Sequence, residues 1–223
     1  METEKKAVLI SIKPKWCELI ADGKKTVEVR KTKPKLKPPF KCYIYCTKST
    51  QSDQLWVLSE NERKENFGLS AICANLNATS GICLGDGKVI GEFVCDKIEY
   101  FNSAASEFAY SVAPSDIPCT LPMSEEKALE TCYKQGCLST DDVISYFGDE
   151  DYKVYFWHIS DLKIYDWAKA ICQFNYPHYK NCYMSCCECK YGEYAPETDE
   201  YLCIREVNRP PKNWCYVEEV KSL

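Results

Sequence analysis

Lys13, Lys25, Glu28 and Arg30 lie close together near the start of the chain, and their types suit work on an anion or a nucleobase. Lys13 leaves one strand-like run and Lys25 precedes another. Glu28 and Arg30 are two apart in Thr26–Arg30, so alternation puts Thr26, Glu28 and Arg30 on one strand face and Val27 and Val29 on the other. A guanidinium holds phosphate through a two-pronged fork, and lysines hold it as point charges. Glu28 would accept from a base amino group, or orient Lys25 as a base. A free lysine titrates at about 10 and must be desolvated or crowded by other cations to act as a base near neutrality. Lys13, Lys24, Arg30 and Lys31 would supply that crowding. Lys25, Glu28 and Lys13 are therefore the candidate catalytic groups. The candidate ligand contacts are Lys13, Trp16, Lys25, Glu28, Arg30, Lys31 and Tyr45, with the two aromatics included because bases stack on rings beside a basic cleft. A plainer reading stands beside this one: Glu28 paired with Lys25 or Arg30 only fixes a strand and a helix, and exposed pairs of that kind are worth little.

Charge is distributed unevenly. The 223 residues carry a net charge of −5, which argues against coating nucleic acid indiscriminately. Residues 1–48, however, hold 13 lysines and arginines against 5 acids, while the remainder holds 15 against 28. An anionic partner is expected to meet the first segment; the alternative is a merely solvated lysine face. No run approaches 18 apolar residues, so no membrane span is expected. Met1–Lys6 is followed by too short an apolar stretch for a signal peptide, and the expectation is a cytoplasmic protein.

The elements that must position these residues can be read in order. Ala7–Ile12 is a buried strand. Pro14–Ala21 is a helix with Trp16, Leu19 and Ile20 on one face, closed by Asp22-Gly23. Thr26–Arg30 and Phe40–Cys46 are strands, separated by a proline-bearing loop. Lys88–Phe101 is a long strand with Gly91 as a bulge or bend. Helices start at Ser124 and Ser139, the latter ended by Gly148. Tyr152–Ile159 is a strand, continued after a bend by Asp161–Tyr165, and Trp214–Val220 is the last. Residues 49–86 read as an insertion, with a helix around Gln54–Asn61 and loop from Asn75 to Gly87. The expected fold is α+β: one domain over 1–223, a small mixed β-barrel with flanking helices and a Cys-rich insertion.

Sixteen cysteines in a chain expected to stay inside the cell should be thiols or metal ligands rather than disulfides. Cys42, Cys46 and Cys95 sit in strand runs and read as small buried hydrophobes. Residues 172–205 differ: Cys186-x-x-Cys189 has knuckle spacing, and four thiolates on a structural zinc would stabilise a loop-rich segment with few apolar residues. The candidate metal ligands are Cys182, Cys186, Cys189 and Cys203, with Cys187 and His178 as substitutes. Scattered free thiols are the alternative. His158 has no Ser or Cys partner at a diagnostic spacing and reads as packed in its strand.

Ile10-Ser11-Ile12-Lys13-Pro14 followed by Gly23-Lys24-Lys25-Thr26-Val27-Glu28-Val29-Arg30 resembles the signature of ASCH domains. Gly87–Phe93 resembles that family's strand after the cleft, and Trp157-His158-Ile159-Ser160-Asp161-Leu162 resembles its W-x-I-x-x-L strand. Arg209–Val217 resembles the last strand of phage and Gram-positive members. The resemblance implies a PUA-like barrel with a groove beside the first helix, and RNA, a nucleotide or a modified nucleoside as partner. Some relatives hydrolyse acetylcytidine and others look like ribonucleases. In the amidohydrolase pattern Lys25 and Arg30 match, but Glu28 stands where a threonine nucleophile belongs, and a carboxylate cannot replace a hydroxyl without changing the mechanism. Glu92 and Glu126 are the candidates for its downstream carboxylate. The expected function is RNA or nucleotide binding in a basic cleft. The alternatives are a hydrolase, either ribonuclease or modified-nucleoside amidohydrolase, using Lys13, Lys25 and Glu28, and a protein-interaction adaptor using the acidic insertions.

Overall fold

Strands β1 (Lys6–Ile12) and β3 (Phe40–Cys46) have almost no exposed residues, which is the signature of strands covered on both faces. They pair in parallel, with Val8 opposite Cys42 and Ile12 opposite Cys46. A parallel pair needs a crossover, and helix α1 (Pro14–Ala21) with strand β2 (Val27–Arg30) supplies it. The computed structural model describes residues 5–48, 56–57, 83–85, 87–103, 107–111, 125–148, 152–177, 191–197, 199–203 and 205–220.

The remaining elements are β4 (Trp56–Val57), β5 (Cys83–Leu84), β6 (Val89–Asn102), β7 (Glu107–Ser111), α2 (Glu125–Gln135), α3 (Thr140–Phe147), β8 (Lys153–Lys169), β9 (Gly192–Ala195), β10 (Glu200–Cys203) and β11 (Trp214–Glu218). Seven strands form one mixed sheet in the order β11-β1-β3-β6-β8-β2, with β7 also on β6. The pairs β9–β10 and β4–β5 form separate two-stranded ladders. The fold is thus mixed α+β. Its edge strands β2 and β11 are joined to neighbours through side chains: Arg30 on β2 donates to the Ser11 carbonyl of β1 and to Asn213 just before β11.

Among the described residues, three apolar clusters hold the sheet. Val8, Ile10, Ile12, Cys42, Ile44, Phe93, Cys95 and Trp157 fill the inner face, and Cys17 and Ile20 of α1 seal it. Ala7, Leu9, Tyr43 and Tyr45 face the other way, against Phe174, Val207 and Val217. Val27, Val29, Val154 and Phe156 pack under α2 through Cys132 and Leu129. Each large apolar side chain so buried is worth about 1.5–3 kcal/mol of transfer free energy.

Several expectations are met closely. α1 and β3 have the expected bounds, α3 is capped by Ser139 with Asp142 completing a capping box, and Cys42, Cys46 and Cys95 are wholly buried. Others need correction. Trp56–Val57 is a strand, not part of a helix, because it pairs with Cys83–Leu84, which in turn lies inside the span expected to be loop. The bend expected ahead of Asp161 is present inside one strand, β8, where Asp161 takes φ 46° and the pairing with β6 shifts register between Ser160 and Lys163. The expected Ser124 cap lies outside the described residues.

Gly91 sits where the β6–β8 register shifts, and a Cβ there would lie 2.5 Å from the Lys163 carbonyl oxygen, so backbone would have to move. Gly91→Ala is expected to lower stability by about 1–3 kcal/mol. The measurement is the urea midpoint at unchanged m-value; an unmoved midpoint would show that the bulge absorbs a methyl group.

Candidate functional site

Lys13 is extended at the N-cap of α1, and Pro14, with φ already suited to a helix and no N–H to waste, starts the first turn. At the other end Gly23 takes φ 70°, a conformation that L side chains resist. The reversal lets the amides of Lys24 and Lys25 both donate to the Leu19 carbonyl. It also sends the two lysines apart: Lys24 reaches Asp22 at the surface, while Lys25 turns inward and is buried.

The next strand places Glu28 and Arg30 beside Lys25, as alternation requires. Lys25 Nζ donates to the Gly136 carbonyl at 2.7 Å and lies 3.6 Å from Glu28 Oε2. Arg30 Nε lies 2.8 Å from Glu28 Oε1, a charge contact without hydrogen-bond alignment. Its two terminal nitrogens donate to Asn213 Oδ1 at 2.7 Å and the Ser11 carbonyl at 2.6 Å. These side chains are only 2%, 7% and 9% exposed. This is no surface ion pair but a carboxylate held between two desolvated cations. Burial lowers the pKa of Lys25 from its ordinary 10.5, with Arg30 adding to the effect and Glu28 opposing it.

Above this floor is a cleft of about 1050 Å³. All seven residues expected to contact a ligand line it: Lys13, Trp16, Lys25, Glu28, Arg30, Lys31 and Tyr45. They differ in what they offer. Lys13 and Lys31 are exposed and carry their charge at the mouth. The ring of Trp16 is half-buried and already faces two ammonium groups, Lys15 at 4.3 Å and Lys25 at 5.0 Å. Tyr45 is only 3% exposed and packs with Tyr43 on the outer cluster, so it forms wall rather than an open stacking surface.

Other cleft residues carry no local signal in the sequence. Tyr146 on α3 is 42% exposed, lines the cleft and has Lys31 Nζ 5.0 Å from its ring centre. Ser145 and Asp142 come from the same helix, and the Ser139 hydroxyl and amide hold the Asp142 carboxyl below its ordinary pKa. Lys48 and Lys212 add two exposed cations, one after β3 and one before β11. Asn213 spans the back, accepting from Arg30 and donating to the Thr32 hydroxyl. The amphipathic repeat of α3 would have found Tyr146 as exposed, but only the tertiary fold sets it over the cleft.

Of the candidate metal ligands, Cys203 closes β10, half-buried and free of any disulfide. Cys182, Cys186 and Cys189, with the substitutes Cys187 and His178, lie outside the described residues. Glu92, one candidate for the downstream carboxylate, lies away from the cleft, with Lys41 and Tyr165 on its two oxygens. Glu126 is in the first turn of α2, and its side chain is outside the described set. Among the described residues no helix is long and apolar enough to cross a membrane.

The chain is similar to a crystal structure of ASCH from Zymomonas mobilis, at 16% identity over 71% of this chain and 69% of that one, with a TM-score of 0.39. A serine-to-alanine variant of the Zymomonas mobilis protein compares likewise, at 15% identity over 73% and 72% with a TM-score of 0.40. Among curated proteins no sequence match is found. The profile of the ASCH domain matches residues 10–207, a span that takes in the cleft floor, both helices beside it and the strands that frame them, and the chain therefore belongs to the ASCH domain family.

Proposed function

We propose that the cleft binds RNA, taking one nucleotide or a short single-stranded stretch. The observation that carries this reading is the convergence on one hollow of a buried Lys25–Glu28–Arg30 floor and four exposed lysines, Lys13, Lys31, Lys48 and Lys212. The volume of about 1050 Å³ is at the upper end for ligand sites, ample for a nucleotide. The rim lysines suit phosphates, and Tyr146 offers the more open ring for a base. Ser145 adds an exposed hydroxyl at the same wall. The net charge of −5 fits a local site rather than a surface that coats nucleic acid. In the same reading the chain acts inside the cell, and Cys182, Cys186, Cys189 and Cys203 hold a structural zinc that orders the segment around them.

Binding of a short single-stranded RNA is expected to weaken steeply with salt, log K falling by about 0.7 for each phosphate neutralised per log unit of salt. Lys31→Ala should weaken binding to all sequences alike and reduce that slope by about one contact. Fluorescence anisotropy over a salt series measures both. Binding indifferent to salt, or to Lys31→Ala and Lys13→Ala together, would remove RNA from this cleft and favour a protein partner.

A second reading has its own observation, the buried Lys25 with its lowered pKa. In a hydrolase, whether ribonuclease or amidohydrolase on a modified nucleoside, Lys25 would take a proton and Glu28 would orient it. Because the neutral amine is the active form, the rate should rise with pH through a value below 10.5 and level off above it. Lys25→Met should abolish turnover, a loss far larger than its weakening of RNA binding measured on the same folded variant. No turnover by the wild type on RNA or acetylated nucleosides leaves the binder alone.

A further inference from the structure

Glu99 on β6, Cys132 on α2 and His158 on β8 meet behind the cleft, on the sheet face that α2 covers. They are separated in sequence by 33 and 59 residues from Glu99, so no motif announces them. A single oxygen is the focus: Glu99 Oε2 accepts from the Cys132 thiol at 3.1 Å and lies 2.5 Å from His158 Nε2. The three potential donor atoms all fall within 4.8 Å of one another. The other carboxylate oxygen is engaged separately, with Lys97 Nζ at 2.6 Å from Oε1. That ion pair fixes the carboxylate so that one oxygen is turned toward the sulfur and the ring nitrogen.

We propose that Glu99, Cys132 and His158 bind a divalent metal ion of the zinc type. One oxygen, one sulfur and one nitrogen donor are the set that borderline-soft Zn²⁺ accepts, at bond lengths of about 2.0–2.3 Å in a tetrahedron. Donors in such a tetrahedron stand roughly 3.3–3.8 Å apart, so the Glu99–His158 contact opens by about 1 Å and the Cys132–Glu99 contact by less. Loading exchanges partners in a balanced way. The metal takes the place of two protons: the thiol proton leaves to solvent as the sulfur becomes a thiolate, and the Nε2 proton that His158 shares with Glu99 leaves to solvent or passes to Nδ1, freeing the Nε2 lone pair for the metal. Lys97 remains as the outer partner of the carboxylate, the kind of support that metal ligands keep. Entry is through His158, whose side chain is 19% exposed while Glu99 and Cys132 are buried. Three protein donors leave a fourth position for water.

A nucleophilic role for Cys132 is not supported by the same geometry. Burial and the adjacent Glu99 carboxylate both push its pKa up, and its thiol faces the carboxylate rather than the imidazole. The metal reading also gives the cluster a task. His158 is the register partner of Val27, next to Glu28, and Cys132 sits in the last turn of α2, just ahead of the Gly136 carbonyl that holds Lys25. A metal tying α2 to β6 and β8 would fix the cleft floor from behind.

The test uses the full chain, stripped with a chelator and titrated with Zn²⁺ or Co²⁺ alone. Cys132→Ser and His158→Gln are made in a Cys186→Ser/Cys189→Ser background, which removes the other metal candidate. The expected result is a thiolate-to-cobalt charge-transfer band that survives in the Cys186/Cys189 variant and is lost in Cys132→Ser. Zn²⁺ affinity should fall in His158→Gln by more than the 10–100-fold typical of losing an outer-shell partner. Circular dichroism establishes that each variant is folded; should Cys132→Ser fail to fold, Glu99→Gln replaces it, with loss of Zn²⁺ affinity as its readout. A Cys186→Ser/Cys189→Ser background that takes up no metal, or that keeps its metal when the cluster variants are added, overturns the proposal without touching the RNA reading.

Discussion

Glu28 sits between Lys25 and Arg30 with almost no water around it, and the local architecture is arranged to make that tolerable. Each desolvated ion costs several kcal/mol, which mutual attraction recovers only with good geometry and further hydrogen bonds. Those further bonds come from distant parts of the chain: the Gly136 carbonyl after α2, the Ser11 carbonyl at the end of β1, and Asn213 ahead of β11. The charge cluster therefore acts as a junction of three elements as well as the floor of a cleft. A cation here cannot be exchanged for a neutral group without leaving a buried carboxylate partly unpaired, and a lysine cannot replace Arg30, because one ammonium cannot reach Glu28, Ser11 and Asn213 along three directions.

Strand β2 is the element on which two readings meet. Its four residues are all buried, yet the two faces are chemically opposite. Glu28 and Arg30 look into the cleft, while Val27 and Val29 lie under α2 with Phe156. The polar face depends on the apolar one, because α2 must be seated for its following carbonyl to receive Lys25. Gly136 makes that seating close: a Cβ there would be 3.1 Å from a Val29 methyl group. The cluster of Glu99, Cys132 and His158 lies in the same layer.

Much of this was legible in the residues themselves. Pro14 and Gly23 bracket α1, and simple alternation puts Glu28 and Arg30 on one face, so the floor of the cleft could be written down from the sequence. What escaped was whatever depends on register between distant elements. Tyr146 and Asn213 reach the cleft only because α3 and the segment before β11 are folded against it, and Tyr45 was read as a stacking ring although the second cluster buries it. His158 looked like ordinary strand packing because its partners are far away in sequence. Local pattern around Trp56 favours a helix, where pairing with Leu84 decides otherwise.

Arg30 has one more effect, apart from any ligand. β2 ends the main sheet, and the outer edge of a terminal strand ordinarily presents free backbone groups that can recruit a foreign chain. Here the guanidinium leans across to Ser11 and Asn213, filling with side chain the lane in which an intruding strand would have to lie. The same contact thus occupies the free edge of β2 at Arg30.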